Sequence, residues 1–393
     1  MRIFVTGTGV ISCIGNGVNE NFNSLVSSRH GITSLSEELD AFLPGFPIGR
    51  IQLTNQQLSE ISGGNAKWPR AALLSLMASK EALSVLKQKN KLRLGFISAT
   101  TVGGMDLTEN GYANWQKSGI FNSRDFINHE CGRTTELVAD LLGINGFVTT
   151  INTACSSSAN AMMMASRLIK QGIIDVAIAG GTDALTRFTL NGFNTLLILD
   201  QQHCRPFDAS RAGLNLGEGA GYLLLAGEHM ADQFGMEPIC ELKAYCNAND
   251  AYHQTASSPE GAGSFLAMSQ TLEIGGIKPG KIDYINLHGT GTSNNDASEA
   301  TAISQLFRES IPAHSSTKSY TGHTLGASGG IEAVYSTLAI QRNAMFPNLR
   351  FETAMSEIGV SPVTTFQHKE ITNVLSNSFG FGGNCSSLLF SKV

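Results

Sequence analysis

One cysteine stands where a nucleophile would. The run Phe147-Val-Thr-Thr-Ile-Asn-Thr-Ala-Cys155 is β-type and stops at Cys155, after which small residues open a helix. A thiol at that junction meets the orphan N–H groups and positive dipole end of the helix, which favour a thiolate below the free value of about 8.5 and can hold a developing oxyanion. The competing reading is an inert cysteine filling a tight strand-to-helix crossover. Two histidines lie in Gly/Thr-rich settings: His288 after a buried-strand run in Ile285-Asn-Leu-His-Gly-Thr-Gly-Thr292, and His323 in Lys318-Ser-Tyr-Thr-Gly-His-Thr-Leu-Gly. A histidine at the end of a parallel strand points into the crevice where α/β proteins bind ligands. Each alone reads as a core histidine satisfied by backbone, but with Cys155 they form a nucleophile and two N–H donors. Cys13, Cys131, Cys204, Cys240, Cys246 and Cys385 lack this context and read as structural.

Three other patterns imitate sites. Gly7-x-Gly9-x-x-Ser12 lacks the third glycine of a dinucleotide fingerprint and a well-placed acidic residue. Gly326-x-Ser328-x-Gly330 matches a hydrolase elbow without the buried strand that should precede it, and Ser315-Ser-Thr-Lys318 matches S-x-x-K without a K-T-G partner.

The elements that must position Cys155, His288 and His323 alternate. Apolar runs of strand length occur at Ile3 to Val5, Leu94 to Ile97, Phe147 to Ile151, Val176 to Ala179, Tyr222 to Leu225, Ile282 to Leu287 and Val374 to Ser376. Helical patterns lie between them at Arg70 to Leu86, Ser156 to Gln171, Gly263 to Gly275, Ala297 to Phe307 and Gly326 to Arg342. Strands covered on both faces and alternating with helices predict an α/β protein. No linker-like stretch divides the chain, so two halves should share one core, with the seam near Glu228 to Glu237. The expected division is 1–230, carrying the nucleophile, and 231–393, carrying both histidines. An internal echo agrees: Thr153-Ala-Cys-Ser-Ser-Ser158 and Gly322-His-Thr-Leu-Gly-Ala-Ser-Gly-Gly330 are both small-residue turns feeding long helices.

Composition excludes other classes. Net charge −5, with no basic run of five or more, argues against nucleic acid. Seven cysteines without a C-x-x-C pair indicate neither a disulfide framework nor a zinc ribbon, so a reducing cytoplasm is expected. No apolar run approaches the roughly 18 residues of a spanning helix. Charged residues are only 15% of the 393, well below the roughly 25% usual for soluble domains, which points to an oligomer interface.

Taken in order, Val5-Thr-Gly-Thr-Gly-Val-Ile-Ser-Cys-Ile-Gly15, Thr153-Ala-Cys155, Arg205-Pro-Phe-Asp208 with Gly217-Glu-Gly-Ala-Gly221, and Ala251-Tyr-His253 form the first part of a recognisable series. His288-Gly-Thr-Gly-Thr292 with Asn295-Asp296, Lys318-Ser-x-Thr-Gly-His323 and Asn377-Ser-Phe-Gly-Phe-Gly-Gly383 complete it. Over essentially the whole chain the series resembles the elongating, Cys-His-His β-ketoacyl-acyl-carrier-protein synthases of the thiolase-like superfamily. The resemblance implies a five-layered α-β-α-β-α fold of two similar halves, a homodimer or a heterodimer with a related subunit, and decarboxylative condensation with a malonyl carrier.

By family position Cys155 is the acylated nucleophile, and the N–H groups of Cys155 and Phe381 form the oxyanion hole. His288 and His323 stabilise the enolate, Lys318 supports the His323 region, and Glu332 orders it. Thr290 and Thr292 bond the pantetheine, with Thr255 along the same arm, while Phe379 and Phe381 gate the acyl pocket in a loop hinged at Gly382 and Gly383. Neither cofactor nor metal is implied. The substrates ride on the phosphopantetheine of an acyl carrier protein, and Lys67 and Arg70 are the candidate docking residues.

Departures from the family pattern are local. Asn384-Cys385 stand where Thr-Asn is usual, the apolar run Leu196-Leu-Ile-Leu199 replaces a basic residue after Gly192-Phe193, and Gly213-Leu-Asn-Leu replaces Gly-Phe-Val. Asn122 to Arg133 differs from the usual dimer-facing pattern, and Thr153-Ala-Cys-Ser-Ser-Ser158 is closer to polyketide-type enzymes. Fatty-acid elongation is therefore the leading reading. A discrete ketosynthase of a type II polyketide or aryl polyene pathway and a catalytically silent chain-length partner subunit are the alternatives.

Overall fold

Ten strands carry the architecture: β1 (Ile3–Ser12), β2 (Leu94–Ala99), β3 (Val148–Ile151), β4 (Val176–Asp183), β5 (Gly219–Gly227), β6 (Cys240–Asn249), β7 (Tyr284–Asn286), β8 (Ala313–Ser315), β9 (Asn373–Gly380) and β10 (Asn384–Ser391). The computed structural model describes residues 1–34, 45–87, 91–144, 146–308, 310–355 and 359–393. The strands are hydrogen-bonded in the order β8-β7-β9-β10-β6-β1-β5-β4-β2-β3. Outward from the centre, each half repeats one pattern. β1 pairs antiparallel with β5, β5 with β4, and β4 runs parallel to β2 and β2 to β3, while β6, β10, β9, β7 and β8 repeat the same four relationships. The halves join where β1 meets β6 over only Phe4↔Glu241 and Val5↔Cys240.

Two helices, Ser157–Lys170 and Ser328–Arg342, pack against each other and against strands of both halves, forming the middle layer. Every residue of the second helix from Ser328 to Ile340 is buried, as a helix covered on all sides requires. Its approach is close: a Cβ at Gly330 would lie 2.4 Å from the carbonyl oxygen of Gly221 on β5. The outer layers are the helices Arg70–Leu83 and Cys131–Leu142 on one side and Ala262–Gly275 and Ser293–Phe307 on the other, which together complete the thiolase-like five-layered α/β arrangement. The false dinucleotide fingerprint has a packing explanation. Gly9 lies inside β1, where a Cβ would come 1.9 Å from the carbonyl of Ala78 in the helix above.

Arg70 corrects one expectation. Its guanidinium is folded inward, donating from Nε to Glu218 Oε2 (2.8 Å) and from Nη2 to Glu218 Oε1 (2.7 Å), and also to the carbonyls of Ile51 and Leu53. Glu218 in turn accepts the N–H groups of Ile51 and Leu185. A bidentate, buried pair of this kind holds three segments together and is not offered to a carrier protein; Lys67 remains exposed. Removing one partner of a buried pair strands the other charge. Arg70→Ala should therefore lower unfolding stability by about 3–5 kcal/mol in a urea titration, while Lys67→Ala should change it by less than about 0.5 kcal/mol. A small loss in the Arg70 variant would show that the pair does not anchor the fold.

Candidate active site

Cys155 occupies a strained turn between β3 and the Ser157–Lys170 helix. Ala154 immediately before it has φ 53, a left-handed conformation that is costly for a residue with a Cβ, and Ser156 is the N-cap. The turn closes on itself. Thr153 N–H donates to Ser157 Oγ (2.8 Å) and Ser157 N–H to the Ala154 carbonyl (3.1 Å), while Ser156 Oγ shares its one proton between the Thr153 carbonyl (2.8 Å) and Asn384 Oδ1 (2.7 Å).

The second half of the chain delivers the imidazoles to this thiol. His323 Nε2 lies 3.1 Å from Cys155 Sγ, and the His288 and His323 rings meet edge to face with centroids 5.4 Å apart. Their tautomers follow from their partners. The Leu325 N–H, which can only donate, points at His323 Nδ1 at 3.1 Å, so the ring proton sits on Nε2, facing the sulfur. Lys318 Nζ lies 3.3 Å from His288 Nδ1 and donates to the His288 carbonyl (2.6 Å), which leaves His288 with Nε2–H as well. Lys318 also pairs with buried Glu332. Glu299, on the Ser293–Phe307 helix, accepts the N–H groups of His288 (2.9 Å) and Gly289 (2.8 Å) and fixes the strand end from which His288 projects.

Two cavities meet at Cys155. One, of about 360 Å³, is lined by Thr255, Thr290, Thr292, Phe379, both histidines and Cys385. The other, of about 210 Å³, is apolar and lined by Val102, Met105, Phe188, Leu325 and Phe193. Phe381 borders both and stacks on Phe193 (centroids 5.8 Å, 17° between planes), while its N–H points at the Cys155 sulfur. Thr290 and Thr292 share a hydroxyl contact of 2.9 Å, and Asp296 accepts the N–H groups of Thr290 and Gly291 to shape their loop. Thr255 is exposed at the wide end. The residues expected to carry catalysis, the oxyanion hole, pantetheine contact and their support thus lie at or behind one junction, whereas Lys67 and Arg70 do not. Cys385, read as structural, proves to line the larger cavity.

Burial sets the protonation states. It holds both imidazoles well below their usual range, with the Lys318 charge adding to the effect, so they are neutral donors at physiological pH. Burial also pushes the Cys155 thiol up to about 11, against the pull of Lys318 and the Phe381 N–H. Burial therefore works against the pull of the helix terminus and favours the neutral thiol. A thiolate maintained by the terminus alone, as the sequence suggests, is not the resting state. Sγ and one nitrogen of each imidazole lie within 4.8 Å of one another, as metal ligands can. Zinc-binding histidines normally give their second N–H to an acceptor, whereas here the ammonium of Lys318 takes that position, so the cluster suits developing negative charge better than a cation.

The supports Asp183, Asp296, Glu299 and Asn384 were not identified from sequence. Asp183 is fully buried and accepts from Thr100, Thr101, Val102 and the Gly326 N–H, joining the wall of the apolar cavity to the segment after His323. A carboxylate ending the buried strand β4 was the available signal for it. Because the thiol is raised, alkylation of Cys155 by iodoacetamide should climb about tenfold per pH unit from pH 7 to 10. A plateau setting in below pH 9 would contradict the protonated resting state.

Comparison with known proteins agrees with this geometry. Residues 1–231 match the N-terminal domain of β-ketoacyl synthases and residues 239–352 the C-terminal domain. The 3-oxoacyl-[acyl-carrier-protein] synthase 2 of Synechocystis sp. is 34% identical, the alignment covering 100% of this chain and 98% of that one. The ishigamide ketosynthase/chain length factor superposes with a TM-score of 0.92 at 26% identity, covering 100% of this chain and 99% of that one. A ketosynthase from Xenorhabdus doucetiae, solved with its chain length factor, gives 0.84 at 31% identity, covering 100% and 98%. Sequence, fold and the Cys-His-His constellation together place this chain in the β-ketoacyl synthase family.

Proposed function

We infer that the chain is a 3-oxoacyl-[acyl-carrier-protein] synthase catalysing decarboxylative Claisen condensation in fatty acid elongation. The observation that carries this reading is the meeting of Cys155 Sγ, the Nε2–H groups of two neutral imidazoles and the Phe381 N–H at the junction of two cavities. In the first half-reaction Cys155 sulfur attacks an acyl thioester. The N–H groups of Cys155 and Phe381 hold the carbonyl oxygen, and the thiol proton ends on the departing pantetheine sulfur, so no external base is consumed. The acyl chain enters the apolar cavity. In the second half-reaction the carboxylate of a malonyl thioester leaves as CO₂, and His288 and His323 donate to the enolate oxygen that results. The enolate carbon then attacks the acyl carbonyl, expelling Cys155 sulfur as a thiolate that takes one proton from solvent to restore the thiol, and leaving a 3-oxoacyl thioester on the carrier.

Neutral imidazoles suit this task because they stabilise charge that appears only in the transition state. Pantetheine belongs to the acyl carrier protein and passes Thr255, Thr290 and Thr292 through the larger cavity. Substrate delivery then needs no resident cofactor. A discrete ketosynthase of a polyketide or polyene pathway is the second reading, favoured by the similarity to the ishigamide and Xenorhabdus enzymes. A silent partner subunit is disfavoured by an intact Cys155 with both donors in place. The exposed apolar side chains Tyr112, Trp115, Ile120, Phe121, Ile127 and Phe188 form the surface on which we place a second subunit, a copy of this chain or a relative. Among the described residues no helix is long and apolar enough to cross a membrane.

Intact-mass analysis after incubation with acyl carrier should find one acyl adduct, mapping to Cys155 and missing from Cys155→Ser. An adduct on another cysteine would displace the assignment. His288→Ala and His323→Ala should each still form the acyl enzyme, while CO₂ release from malonyl carrier falls about 10²–10³-fold. Undiminished decarboxylation in both would remove the imidazoles from the enolate step.

A further inference from the structure

Asn384 departs from the family pattern, and its side chain bridges the two segments that form the oxyanion hole. It lies at the start of β10, three residues after Phe381. Its Oδ1 accepts three hydrogen bonds, from Ser156 Oγ (2.7 Å), Asn160 Nδ2 (2.9 Å) and Asn247 Nδ2 (2.7 Å). Ser156 directly follows Cys155, and Asn160 also donates to Thr153 Oγ1 (2.8 Å), so two of the three donors belong to the nucleophile turn or hold it. Asn247, on β6, turns its second amide hydrogen toward Ser386 Oγ (2.9 Å), with Asn160 Oδ1 3.0 Å away, which fastens the cluster to the second half.

The two oxyanion donors come from opposite halves of the chain. Cys155 N–H belongs to the turn after β3, and Phe381 N–H to the loop between β9 and β10. On one side of Phe381, Gly380 packs its backbone on the turn, where a Cβ would lie 3.1 Å from Cys155 N. On the other side, the loop runs through Gly382 and Gly383 at φ 80 and 76, conformations with little intrinsic stiffness, before reaching Asn384. The Asn384 carbonyl is therefore the side-chain tie between that end of the loop and the Cys155 turn.

We propose that Asn384 is a positioning residue that sets the spacing of the Cys155 and Phe381 N–H donors, its Oδ1 serving as a threefold acceptor. The proposal rests on the acyl-transfer reading above. Since only acceptor capacity is used, aspartate should replace asparagine and alanine should not.

The test compares two rates at Cys155 in the full chain: acylation by octanoyl-N-acetylcysteamine, which passes through an oxyanion, and alkylation by iodoacetamide, which does not. Asn384→Ala should lower the acylation-to-alkylation ratio about 10²-fold, the scale of a misplaced oxyanion donor, whereas Asn384→Asp should stay within about threefold of the parent. Ser156→Ala, which breaks the bridge from the other side, should lower the ratio at least fivefold and decides the matter if the alanine variant does not fold. An unchanged ratio in folded Asn384→Ala, or in Ser156→Ala should that variant not fold, overturns the proposal. So does an Asn384→Asp enzyme as impaired as Asn384→Ala. Failure of the parent chain to be acylated at all, with normal alkylation, would instead bring down the acyl-transfer reading and this proposal with it.

Discussion

A sulfur and an imidazole separated by 168 residues must sit 3.1 Å apart, and much of the architecture serves that contact. The cysteine comes from the strand-to-helix turn of one half, the histidine from the corresponding turn of the other. Both turns feed the central helices, so their separation depends on how closely those helices and the sheet pack. Small residues supply the closeness: Gly330 lies against Gly221, and Gly329 packs on Ala159 of the partner helix, where a Cβ would come 3.1 Å from the Ala159 nitrogen. A methyl group at either place would force backbone apart from backbone, and the cost would appear at the site as distance.

Within that frame one buried ammonium organises the electrostatics. Lys318 touches His288 twice and pairs with Glu332, and its field reinforces burial in keeping both imidazoles neutral. The same field draws the Cys155 thiol down but does not overcome its desolvation. A sealed site thus trades a stable thiolate for strong hydrogen bonds at the moment charge develops, because donors in a low dielectric act on a transition state more than they would in water. The resting thiol and the reactive site are then two consequences of one exclusion of solvent.

The reacting groups were legible in the sequence because each needs an unusual local pattern, a strand that ends in Gly, Thr or Ala beside a reactive side chain. Their supports were not. Glu299 and Asp296 are acidic residues on a helix that reads as ordinary, and only the tertiary fold shows their carboxylates capping the His288 and Thr290 loops. Of the strands, β1 was seen as three residues because Gly7 and Gly9 look like turn signals, whereas they are the flat ground on which a helix rests. β6 and β10 escaped because polar residues such as Asn247, Asn249, Ser386 and Ser387 interrupt the apolar pattern, and two of them, Asn247 and Ser386, reach Asn160 of the first half. Arg70 misled for the opposite reason. A basic residue opening a helix looks solvated until Glu218, 148 residues away, is found beside it.

Apart from the run from Thr153 to Ser158 around the nucleophile, the departures from the family pattern lie away from the reacting atoms. Leu197, Ile198 and Gly213 line the larger cavity, Asn384 and Cys385 follow the Phe381 loop, and the segment from Asn122 to Arg133 adjoins the exposed apolar surface next to Phe126. Chemistry fixes the positions of a thiol, two N–H donors and an oxyanion hole to fractions of an ångström, so little there can vary. Recognition of the carrier, closure of the apolar cavity and the choice of partner subunit depend instead on surfaces, where many side chains give equivalent contacts. The cavity beyond Cys155 makes the same point physically. Met105 and Phe188 line both the apolar cavity and a second one of about 340 Å³ that opens to the surface by Tyr112 and Phe126. Those two side chains are walls shared by the cavity at Cys155 and one that reaches the surface, so a change of size there alters the apolar space while the thiol and its donors keep their places.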